Sequence, residues 1–207
     1  MLTCTDAPKT LGSLLEREAR QRCLTADHVL PLTRFVREIR RDRKIDQEIP
    51  FFDPCDGGVR ARVLFLGEAP GPKAVSSGFI SRNNPDETAK NSFELHRDAG
   101  LPRDTVLLWN IVPWYVGNNG KIRPVSDDDL GQASAYFEPL VRLLPRLRAL
   151  VLVGEKAQRA FSSSPTNLRV FKSPHPSPSN LNTRPWNRQA ILESWREVAS
   201  WLREQPA

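Results

Sequence analysis

Apolar residues in the first fifty positions recur at helical spacing. Leu11, Leu14, Leu15 and Ala19 form one set and Val29, Leu32, Phe35, Val36 and Ile39 the next, which predicts two helices. From residue 61 the rhythm changes. Four short runs rich in β-branched and large apolar side chains, 61–66, 105–111, 149–153 and 168–171, read as strands. Amphipathic segments at 86–99, 127–144 and 155–161 separate them. A last helix has Thr183 and Pro185 near its start and Ile191, Trp195, Val198, Ala199 and Leu202 along one face. Strands that are continuously apolar and alternate with helices predict an α/β fold, a three-layer α/β/α sandwich around a central four-stranded parallel sheet. The expectation is a single domain over residues 1–207 with a helical segment of about fifty residues at its amino end.

Composition narrows the classes. Hydrophobic residues at 39% and charged residues at 26% are globular values, and 18 prolines against 11 glycines predict rigid loops. The longest apolar stretches fall far short of the roughly 20 residues that span a bilayer, and the first ten residues lack a basic segment followed by an apolar one. A cytoplasmic, membrane-free protein is expected. Cys4, Cys23 and Cys55 are odd in number and widely spaced, which favours reduced thiols over a disulfide framework or a four-cysteine metal site. The net charge is +6, and only seven of the 30 basic residues are lysine. An arginine-rich surface suits phosphate. The run Arg37, Arg40, Arg41, Arg43 and Lys44 would either contact a nucleic-acid backbone or form a solvated face.

Ligands of an open parallel sheet bind where the loops leave the carboxyl ends of the strands. The first strand runs into Gly67-Glu68-Ala69-Pro70-Gly71-Pro72, the second into Asn110, the third into Gly154, and the fourth into Ser173-Pro174-His175-Pro176-Ser177-Pro178. Neither a dinucleotide fingerprint nor a P-loop is present, so Gly67 to Pro72 taken alone is a tight turn. Asn110 taken alone is equally well a turn residue. His175, one of three histidines, is fixed between two prolines and suits chemistry near neutral pH.

In combination, Gly67-Glu68-Ala69-Pro70-Gly71, Asn110 and His175-Pro176-Ser177-Pro178 resemble the motifs of the uracil-DNA glycosylase superfamily, in the same order and strand contexts. The first motif, with Asn110, Pro124, Pro145 and Gly154, is similar to that of the bacterial iron-sulfur glycosylases. The last motif is closer to that of the single-strand-selective and main uracil glycosylases. Three cysteines, none in a CxxC pair, do not supply the four that the iron-sulfur relatives use, so no cluster, metal or other cofactor is expected.

The resemblance implies a monofunctional glycosylase that flips uracil out of DNA and hydrolyses its N-glycosidic bond in base excision repair. Asn110 would read the base, with Gly67 and Ala69 beside it. Phe79 would stack on the base or pack in the core. His175 would donate to uracil O2, and Glu68 would activate water or cap a helix. Pro70, Gly71, Ser177, Pro178, Ser179, Asn180 and Leu181 would meet the DNA, with Leu181 as a wedge. Where the main family has a water-activating aspartate this chain has Ala69. Where that family has a thymine-excluding tyrosine it has Gly71, leaving Trp114 or Phe79 as a wall. The partner expected is uracil-containing DNA, single- or double-stranded, and the protein a monomer. Two alternatives stay open: a uracil- or abasic-site-binding module with little turnover, and a hydrolase of free nucleosides.

Overall fold

The structure, a computed structural model, describes residues 5–45, 48–118, 121–161, 168–183 and 186–205. Cys4 and Pro185 lie outside them. The helices are α1 (Leu14–Arg22), α2 (Leu30–Arg43), α3 (Pro72–Ser77), α4 (Glu87–Asp98), α5 (Asp127–Ser134), α6 (Phe137–Arg142), α7 (Glu155–Ala160), α8 (Pro178–Thr183) and α9 (Trp186–Glu204). The strands are β1 (Phe51–Phe52), β2 (Val63–Gly67), β3 (Phe79–Ile80), β4 (Val106–Asn110), β5 (Gly117–Asn118), β6 (Lys121–Ile122), β7 (Ala149–Val153) and β8 (Arg169–Ser173).

The four expected strands form one parallel sheet in the order β4-β2-β7-β8. Alternate side chains of each strand point to opposite faces. Leu64, Leu66, Leu107, Trp109, Leu150 and Leu152 share a core with α2, α5 and α6. Val63, Phe65, Val106, Val151 and Phe171 share the other with α4 and α9. The result is the expected three-layer sandwich. In α9, Ile191, Trp195, Val198, Ala199 and Leu202 are all buried, on the face read from their spacing.

The single helix expected over 127–144 is two. Its first part is closed at the amino end by a capping box between Ser126 and Asp129. It stops before Pro139, which has no amide to donate and whose ring would meet the carbonyl of Ala135 if the helix ran on. Two small pairings were not anticipated, parallel β1–β3 and antiparallel β5–β6. Each strand in them is two residues long, too short to carry a period.

The expectation of reduced thiols also needs correction. Cys23 is free and buried, but Cys55 is disulfide-bonded.

A buried charge network joins the amino-terminal helices to the sheet domain. Arg20, fully buried on α1, pairs with the equally buried Asp53 at 3.1 Å and donates to Asn83 Oδ1 at 2.9 Å. Asp53 also accepts from Arg103 at 2.7 Å and from the Ser81 hydroxyl. The guanidinium groups hold its carboxyl below the usual carboxylate range against the pull of burial. This network pins residues 81–84, which form one wall of the site described next.

Candidate active site

The sheet order places the reversal of strand direction between β2 and β7, and the crevice opens at the carboxyl ends of these strands. A cleft of about 760 Å³ lies there. Gly67, Glu68, Ala69, Pro70, Gly71, Asn110 and His175 all line it. These seven expected residues come from three separate strand exits.

Gly67 and Asn110 are the last register pair of β2 and β4. A Cβ at Gly67 would stand 2.8 Å from the Asn110 Oδ1, so the carboxamide occupies the space that any side chain there would need. Backbone bonds from Ile111 N to Gly67 O at 2.9 Å and from Val112 N to Glu68 O at 3.0 Å lock the two exits together. The Glu68 carboxylate accepts from Val125 N at 3.2 Å through Oε1. It is therefore not the cap of the helix that follows, α3, whose N-cap is Gly71.

His175 lies two residues beyond β8 and faces Gly154, the residue after β7. Gly154 has φ +88°, and a Cβ there would approach the His175 Cβ to 3.3 Å, so the position favours glycine for both backbone and space. Four helices hold the His175 loop. Asn180 Nδ2 of α8 donates to His175 O at 2.8 Å, and Asn91 Nδ2 of α4 donates to Pro176 O at 2.9 Å. Gln158 Nε2 of α7 donates to Ser173 O at 2.9 Å, and Trp195 Nε1 of α9 donates to the Ser173 hydroxyl at 2.9 Å. Asn180 is itself gripped by Asn187 Nδ2, at 2.7 Å to Oδ1 and 2.9 Å to its carbonyl. Burial pushes the His175 imidazole below its ordinary pKa, while the Glu68 and Asp86 carboxylates pull it up. The group is thus a neutral imidazole near pH 7, able to donate one N–H.

Several expected residues do not join this group. Phe79 is fully buried within the core and its neighbours Ile80 and Ser81 line the cleft, so of its two readings core packing is the one observed. Trp114 is buried beneath the Arg43 guanidinium, 4.0 Å from its ring centre, and supplies no wall. Leu181 leans on the α9 core and is not a protruding wedge. Asn180 acts within the protein, as the tether of His175. Ser177 bonds with the Ser179 hydroxyl at 3.1 Å at the start of α8, where Pro178 is the first residue. In the basic run, Arg40 packs on Phe51 and Arg43 on Trp114. Both are occupied within the fold, and Arg37 and Arg41 are exposed.

Other residues complete the cleft: Lys73, Ser81, Arg82, Asn84, Arg123 and Lys156. Their cations give the rim a positive field. Only Pro124, which also lines the cleft, was marked by the sequence pattern. The others sit in loops whose position depends on tertiary contacts such as Lys156 Nζ to Val125 O at 3.3 Å. Deep in the cleft is His96, wholly buried between Phe65 and Trp195, with Nδ1 on Ser92 O at 2.7 Å and Nε2 without a partner. Burial holds its pKa at about 3, so it is neutral. Among the described residues no group of three or more His, Cys, Asp or Glu could hold a metal ion.

The family model for the uracil DNA glycosylase superfamily matches residues 54–199, more than two thirds of the 207 residues. Among solved structures, the chain is similar to the solution NMR structure of a candidate uracil DNA glycosylase from Methanosarcina acetivorans. The two share 16% identity with a TM-score of 0.46, over 68% of this chain and 92% of the other. No curated protein matches.

Proposed function

Since the chain belongs to the uracil DNA glycosylase superfamily, and with it to proteins of glycosylase type that act on DNA, we propose that it excises uracil from DNA by hydrolysing the N-glycosidic bond, working as a monomer without a cofactor. The observation that carries this reading is that Asn110, His175 and Glu68 line one cleft, each at a different strand exit.

The Asn110 carboxamide accepts from uracil N3–H and donates to O4. Cytosine presents the opposite pattern and would leave both groups unpaired, at about 1–3 kcal/mol each when buried. As the C1′–N1 bond breaks, its electron pair leaves with the base as a uracil anion and the sugar becomes oxocarbenium-like. The neutral His175 imidazole donates its N–H to O2, where the negative charge gathers. The Glu68 carboxylate, tied by Oε1 to Val125 N, keeps Oε2 to oppose the cationic sugar and to orient the water that adds to C1′. A Cβ at Gly71 would meet no described atom within 4 Å. The cleft is therefore open at the position where the main family carries its tyrosine, and thymine exclusion is expected to be weak.

The test is release of uracil from single- and double-stranded oligonucleotides, followed by alkaline cleavage of the abasic product. Turnover well above one equivalent, abolished by His175→Ala, is the expected result. No alkali-labile product on either strand form overturns the reading. Release limited to one equivalent would instead mark a binding module.

A further inference from the structure

The β5–β6 hairpin stands at the mouth of the cleft and carries Ile122, an aliphatic side chain that is 56% exposed and yet lines the cleft. The strand that bears it is firmly anchored. Arg123 N donates to Val116 O at 3.3 Å, and the Arg123 guanidinium holds both oxygens of Asp129 in the capping box of α5. Two residues further on, Val125 grips Glu68 through its amide and Lys156 through its carbonyl. Ile122 therefore stands at a fixed offset from Glu68.

A single exposed aliphatic residue ordinarily needs no explanation. This one lies between Lys121 and Arg123 in sequence, above a rim that also bears Lys73 and Lys156. An apolar tip flanked by cations matches the layering of a nucleic acid, stacked bases between rows of phosphate. The other exposed large hydrophobic residues, Leu14, Leu15 and Trp186, are not among those lining the cleft, and Leu181 is packed on α9.

We propose that Ile122 enters the base stack at the place vacated by the extruded nucleotide, so that the hairpin holds the duplex open while the base occupies the cleft. The proposal rests on the glycosylase reading, and it predicts a preference that the reading alone does not. Ile122 should matter where a stack must be broken and should be idle on an unstacked strand.

Wild type, Ile122→Ala and Ile122→Leu are compared on single-stranded uracil oligonucleotides and on duplexes with uracil opposite adenine. Ile122→Ala should lower kcat/KM on the duplex by about tenfold, a change of 1.4 kcal/mol. It should leave single-strand excision within about twofold, and Ile122→Leu should restore the duplex rate. In parallel, a duplex holding a tetrahydrofuran abasic analogue beside 2-aminopurine reports insertion by fluorescence without any chemistry. Equal loss on both strand forms, or no loss, together with a fluorescence change that survives Ile122→Ala, overturns the wedge and leaves the glycosylase reading standing. An Ile122-dependent fluorescence change in a protein that releases no uracil supports the wedge and overturns the glycosylase reading instead.

Discussion

The Asn110 carboxamide rests in the volume that a side chain at Gly67 would fill, 2.8 Å from where its Cβ would be. Base reading at β4 thus depends on the missing side chain of its neighbour on β2. Gly67→Ala should displace the amide at little cost to the fold, because the displaced atom is the end of a side chain. Uracil excision should fall at least tenfold in kcat/KM while Tm stays within about 3 °C of wild type. Steady-state kinetics with a melting curve checks both. Asn110→Asp should reproduce the kinetic loss by setting a carboxylate against O4, and unchanged excision in either variant would remove Asn110 as the reader.

Asn180 holds the His175 carbonyl and is held in turn by Asn187. Asn180→Ala should lower kcat about tenfold with KM little changed, the mark of a group that positions another. Asn187→Ala should act in the same direction and more weakly. Since both belong to one chain of hydrogen bonds, their effects should fail to add, with a coupling of about 0.5–3 kcal/mol in a double-mutant cycle. Additive losses would mean that the two amides serve separate ends.

The His175 titration has a defined sign. Burial lowers its pKa and the Glu68 carboxylate raises it by favouring the imidazolium. Histidine NMR should show an inflection below the ordinary value of about 6.5. Glu68→Gln should move it lower still. An upward move would mean that the two groups do not face each other across the cleft.

His96 adds an acid-sensitive element. Its native pKa of about 3 lies below the unfolded value, so the unfolded chain binds the extra proton first. The stabilisation from neutral His96 is complete above about pH 6.5 and declines as pH falls toward 3, by up to about 1.4 kcal/mol per pH step. His96→Phe keeps an aromatic ring between Phe65 and Trp195 and removes the titration. The stability difference between variant and wild type, from urea melts, should shift in favour of the variant through that window. A constant difference would locate the acid sensitivity elsewhere.

The long periodic elements were legible in the sequence because burial on a fixed face leaves a period. β7 falls on the expected residues 149–153, and α9 buries the five residues that its spacing marked. The strand ends were legible too, since Gly67, Asn110, Gly154 and His175 are tied to the geometry of the sheet itself. What escaped were groups whose partners lie far along the chain. Arg20 reads as one more basic residue on a helix until Asp53 is seen beside it. Phe79 and Leu181 sit at the expected sequence positions, but their side chains turn inward, a choice set by packing rather than by motif. Ile122 gave no signal, as a hairpin two residues deep has no pattern to show.

The His175 loop is pinned from α4, α7, α8 and α9, and the chain beside it is stiffened by Pro174, Pro176 and Pro178. A loop so restrained has little freedom left to surrender when a ligand arrives. The distortion that brings base and imidazole together must then be borne by the nucleic acid, and nucleotides already loosened by a mismatch or an exposed strand become the ones most readily captured.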